Sequence, residues 1–297
     1  MHRIATAIRA VAAARASYLL PSARRARHGI AVAVTTVLGT VGCGSASDLT
    51  SPIGAPAPAA PISTETASHA SSLPIEIRFI GDVPDDVRAA AKAAADRWMQ
   101  VVVGPVLPVQ IAQSVRPCGV GPLLNERVSG VVVFVRMSDP DSLVGLGGTG
   151  GACGMRSGSL ISYEGLVTVS TSGLANSRAA GYLPTIFLHE LGHVLGIGTN
   201  WSASPYLRDA NGENPVFAGP NAMQAAFDVG ATASPSTPIA ISHRGESGEF
   251  THWRAHTVGN DIMLSGGGNA LTAVSAATLR DLGYQVQLSA VDAYQGH

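Results

Sequence analysis

The chain has 297 residues, 46% hydrophobic and only 13% charged, with a formal net charge of −1. That is enough apolar material for a full core in one large domain or two tightly joined lobes, and no internal repeat is evident. Six arginines in the first 43 residues face no acid, and the remainder carries 13 basic against 20 acidic residues, a net charge of −7 that argues against a nucleic-acid partner.

The basic start is followed by an apolar stretch from Gly29 to Gly42, too short to span a bilayer and proportioned like the core of a signal peptide. Residues 1–43 are therefore expected to direct export. Thr40-Val41-Gly42-Cys43 resembles a bacterial lipobox, in which the cysteine is acylated and becomes the first mature residue, although Thr40 stands where leucine is usual. The expectation is a lipoprotein of the bacterial cell envelope, touching the membrane only through a lipid on Cys43. An ordinary cleaved signal peptide and free secretion is the alternative. Residues 44–73, rich in Ala, Pro and Ser, read as a disordered tether.

Alternation at Ile75, Ile77 and Phe79 predicts a first strand, and Asp85 or Asp86 opens an Ala-rich helix through Trp98 to about Val102. Gly130 to Met137 is short, β-branched and Gly-bounded, which predicts a buried strand. Gly145 to Gly154 reads as a loop over the top of the sheet. Residues 160–170 read as another strand.

His189-Glu190-Leu191-Gly192-His193 follows in a short apolar helix begun near Pro184 and ended at Gly196. A helix turns about 100° per residue, so His189 and His193 share one face and suit one zinc ion, while Glu190 is offset to act as general base on a water. A catalytic zinc takes a third protein ligand. The compact pattern HExxHxxGxxH would place it at residue 199, which is Thr199, yet its glycine is present as Gly196.

Here the sequence resembles the leishmanolysin family of metzincins, in which an insertion separates that glycine from a third histidine standing before tryptophan. Thr251-His252-Trp253 matches that pattern, and Asn260-Asp261-Ile262-Met263 is similar to the family's methionine turn. Pro220-Asn221-Ala222, Gly245-Glu246-Ser247-Gly248 and Leu282-Gly283-Tyr284 extend the likeness over residues 75 to 295. The resemblance implies one Zn2+ on His189, His193 and His252, Glu190 as catalytic base, Met263 beneath the metal and Gly196 as turn glycine. It also implies that Leu166 to Ser170 walls a cleft, with an edge able to hold an extended peptide; an ordinary half-buried strand is the alternative. His243 and His256 are competing third ligands; a gluzincin arrangement would instead recruit Glu213, Glu246 or Glu249.

The polar run between Gly198 and Thr251 is expected to fold over the lower side of the cleft, carrying specificity and a short helix at Ala222 to Asp228. A last helix, Thr272 to Leu282, ends at Gly283, and Tyr284 is expected to be packing. With Cys43 lipidated, Cys118 and Cys153 remain as an even pair suited to one disulfide. A thiolate switch on the metal is the rival use.

The expected fold is α+β: a metzincin-like domain over 74–297, with an upper lobe (74–197) holding a mixed twisted sheet and the active-site helix, and a mostly irregular or helical lower lobe (198–297). The implied function is zinc-dependent endopeptidase action on proteins or peptides. A non-catalytic surface lipoprotein or adhesion module that keeps the fold is the competing reading.

Overall fold

The computed structural model describes residues 72–139, 147–210, 212–246 and 248–296. The expected leader, Cys43 and all but the last two residues of the tether lie outside the described residues. Among the described residues, no helix is long and apolar enough to cross a membrane.

In chain order the elements are β1 (Ile75–Ile80), α1 (Asp85–Val101), β2 (Val102–Val103), β3 (Val109–Ala112), β4 (Asn125–Val128), β5 (Val131–Ser138), β6 (Gly148–Met155) and β7 (Ser162–Ser170). They continue with α2 (Leu174–Ala179), α3 (Leu183–Leu195), β8 (Leu207–Arg208), β9 (Val216–Phe217), α4 (Pro220–Asp228), β10 (Ile239–Ala240), α5 (Ala273–Asp281) and β11 (Gln285–Val286). The main sheet has the order β1-β5-β7-β6. β1, β5 and β7 run parallel, and β6 is antiparallel at the edge. The architecture thus combines helices with a mixed sheet, compatible with the expected α+β class.

β5 is apolar from Val131 to Val135 because both its faces are covered. Val131, Val133 and Val135 join the main core, whereas Val132 and Phe134 meet Ile111, Leu124 and Val128 of the β3–β4 hairpin. α1 begins with Asp85 and Asp86, whose charges suit the positive end of a helix, and buries the small side chains Ala90, Ala91, Ala94 and Ala95. Its Trp98 indole donates to the Leu188 carbonyl at 2.9 Å, fixing α1 to α3.

Two expectations are corrected. The stretch read as a loop at Gly145 to Gly154 is, from Gly148 onward, the edge strand β6. Its glycines hide it from any propensity argument, since glycine is a poor strand former. They are there because α3 lies very close: a Cβ on Gly150 would stand 2.5 Å from the Glu190 carbonyl oxygen. The edge assigned to Leu166–Ser170 is the second correction, for β7 is paired on both sides and β6 supplies the edge.

Cys118 and Cys153 form a disulfide, 5.1 Å between Cα atoms, that ties the β3–β4 connection to β6. Cys153 therefore sits in a strand and not in the expected loop. Farther along, Trp201, Phe217 and Trp253 stack into a buried aromatic cluster with centroids 4.8–5.9 Å apart. Finally β11 returns to pair with β2, just after α1.

Candidate metal centre

α3 starts with proline in its first turn and stops at Gly196, whose φ of 113° is open to glycine at little cost. The Ile197 N–H reaches the Gly192 carbonyl at 3.0 Å and the Gly196 N–H reaches that of His193 at 3.1 Å, a Schellman ending. That turn also aims the Ile197 carbonyl back at the helix, where it accepts from His193 Nδ1 at 2.8 Å. Thr199, in the compact pattern's ligand position, instead donates its hydroxyl to the His193 carbonyl at 2.6 Å.

The returning chain lies against this turn. A Cβ on Gly198 would fall 2.0 Å from the Thr251 carbonyl oxygen, so the glycine lets Thr251 seat there and carries His252 to the helix. The three Nε2 atoms of His189, His193 and His252 then converge, with separations of 2.9, 3.1 and 3.1 Å. Tetrahedral zinc with bonds of about 2.0–2.1 Å requires an edge of roughly 3.3 Å between ligand nitrogens.

Each ring is held from behind by a loop carbonyl. His189 Nδ1 meets Ile262 O at 2.6 Å, His193 Nδ1 meets Ile197 O, and His252 Nδ1 meets Gly248 O at 3.1 Å. A carbonyl only accepts, so each Nδ1 carries the proton and each Nε2 is left with a lone pair. Burial pushes His189 down to about 4 and His193 well below its ordinary value, and it lowers His252 as well. Three neutral acceptors facing one point repel unless a cation lies between them. This donor set is the one a metal needs, down to the carbonyls that fix the tautomer. Among the described residues no other group of three His, Cys, Asp or Glu converges in this way.

Glu190 is buried beside the cluster, and burial lifts its carboxyl to about 8 against the opposing effect of the Gly150 N–H that donates to it. Met263, fully buried, lies below α3, its Sδ 2.6 Å from where a Cβ on Gly192 would be. A cleft of about 840 Å3 opens over these groups, walled by Gly148 to Gly150 of β6, by Ile186 and Tyr182, and by Leu264 and Gly266 to Gly268.

The other candidates are elsewhere. His243 pairs with Glu246 at 3.2 Å, and Glu249 accepts from the Gly245 N–H at 2.8 Å. Neither His243, His256, Glu213, Glu246 nor Glu249 joins the cluster. Tyr284 is buried, its hydroxyl accepting from the Ser162 N–H at 3.0 Å. The segment expected to carry specificity, between Gly198 and Thr251, contributes Thr199, Gly248 and Thr251 to the cleft among the described residues. The glycine wall at 266–268 was not anticipated, although three consecutive glycines are a signal: Gly266 and Gly267 have φ of 90° and 98°, and a Cβ on Gly268 would fall 1.9 Å from the Asp261 carbonyl oxygen.

Comparison of the chain with family models and with curated proteins returns no match. The functional reading therefore rests on the site.

Proposed function

We propose that the protein is a zinc-dependent endopeptidase of metzincin type, similar to leishmanolysin, with one ion on His189, His193 and His252. The observation that carries this is the convergence of three Nε2 lone pairs whose opposite nitrogens are all committed to carbonyls. Such an ion, when bound, supplies Lewis acidity that polarises a peptide carbonyl and eases deprotonation of water.

The chain's own groups supply the rest. Glu190, buried beside the cluster and lining the cleft, takes a proton from the attacking water and returns it to the departing amine. Among the described residues β6 has an unshared strand edge along the cleft, against which an extended peptide aligns through its backbone. Among the described residues, no carboxylate other than Glu190 and no lysine or arginine lines the cleft, so the substrate is oriented by backbone, shape and neutral polar side chains such as Asn260 and Asn269. Export through a leader, whether lipid-anchored or secreted, is supported by the Cys118–Cys153 disulfide, which belongs in an oxidising compartment.

The test is Glu190→Gln. Casein or peptide hydrolysis should fall by about 10²–10⁴ with zinc content unchanged. A wild-type protein that holds zinc but cleaves nothing would instead favour the binding-module reading.

A further inference from the structure

Asp261 is a carboxylate with no exposed surface that the proposed chemistry does not use. Burying it is expensive unless donors surround it. They do: the Met263 N–H donates to Oδ1 at 2.8 Å, the Ser275 hydroxyl to Oδ1 at 2.6 Å, and the Thr272 hydroxyl to Oδ2. Ser275, on α5, accepts in turn from the Trp253 indole N–H at 2.9 Å.

Both ends of this relay reach the histidine cluster. Trp253 follows His252 directly, and its backbone is locked to the same turn through Trp253 N to Met263 O at 3.0 Å and Ser265 N to Trp253 O at 2.8 Å. At the other end, Ile262 follows Asp261 and supplies the carbonyl that receives His189 Nδ1. A single buried carboxylate thus fixes the partner of one ring and, through Ser275, the indole beside another. Apolar packing alone would hold the turn without this directional control.

We propose that Asp261 and Ser275 form a positioning unit that sets the angle of His252 against His189 and thereby the affinity of the site for zinc. α5 becomes part of the metal centre without contributing a ligand. This rests on the zinc reading above.

The experiment uses the full chain and zinc alone as probe, in competition with a chromogenic chelator, with melting temperatures measured with and without zinc. The variants are Asp261→Asn, Ser275→Ala and, as control, Leu279→Ala, which opens a cavity one turn along the same helix and removes no hydrogen-bonding member of the relay. Ser275→Ala and Asp261→Asn should bind zinc about 10–100-fold more weakly, as loss of groups behind metal ligands generally does. Leu279→Ala should lower the melting temperature and leave the affinity within about 3-fold. Should Asp261→Asn not fold, Ser275→Ala against Leu279→Ala decides. Equal affinities in all proteins, or equal losses in Ser275→Ala and the control, overturn the positioning role. A wild type that takes up no zinc sinks the metal reading itself, a distinguishable result.

Discussion

His193 and His252 reach the same point by different routes. The first is set by helix geometry, four residues from His189 on a helix packed against the sheet and α1. The second arrives across 59 residues of mostly irregular chain, held by backbone bonds, an aromatic stack and buried polar groups. Helical placement is local and forms with the core, whereas placement by return depends on many separate contacts, each of modest strength. The returning half should therefore be the part that a metal orders and that its removal loosens.

Metal removal offers the largest effect with which to break that contrast. On chelation, amide exchange should rise across residues 248–265 while α3 stays protected, and His252→Ala should mimic this. Zinc binding should vanish in His252→Ala and persist in His243→Ala and His256→Ala, measured by metal analysis of the purified proteins. Equal loosening of α3 would show that the two halves do not differ.

The disulfide belongs to the sheet half, far in sequence from the return. It closes a separation of 35 residues, for which chain entropy gives about 3–4 kcal/mol. Replacing both cysteines by serine should cost that much in urea unfolding and leave zinc affinity unchanged. A matching loss of zinc would mean that β6 and the returning turn act as one body.

How far the two halves could be read from sequence follows the same division. Strands at Ile75, Val131 and Ser162, and the helices α1 and α3, were legible because periodicity and end signals are local properties. β6 was not, since Gly148, Gly150 and Gly151 are chosen for the approach of α3 and carry no strand propensity. His252 was reached only through resemblance to a family, because nothing local distinguishes it from His243 or His256. Asp261 stood inside a quoted motif, but its partners Thr272 and Ser275 come from another element.

A smaller effect belongs to the return alone. Burial holds Asp261 at about 6 in the folded protein, against an ordinary 3.8. A raised carboxyl contributes stability that is fully present below about pH 3.8 and lost as pH climbs through about 6, because the unfolded chain ionises first. The loss is at most roughly 3 kcal/mol. Wild type minus Asp261→Asn, compared by melting of zinc-stripped protein between pH 4 and 7, isolates this group from the other raised carboxyls. A difference that does not change with pH would place the carboxyl in a wetter setting than its burial indicates.

Where the halves meet the cleft, Gly150→Ala sharpens the comparison from the helix side. The new methyl would stand 2.5 Å from the Glu190 carbonyl oxygen and 2.8 Å from its Cβ, both on a helix that cannot swing aside. Relief requires β6 and α3 to separate, an overpacking cost of about 1–3 kcal/mol. The shift also moves Glu190 relative to the cleft and disturbs the Gly150 N–H that donates to it. Turnover should therefore fall more than zinc affinity, since His252 and its supports lie on the other side of the site. If Gly150→Ala kept full activity and stability, the close approach of edge strand and helix would not be what positions the base. Loss of zinc in step with activity would mean that the helix does not hold its two rings independently of the strand beside it.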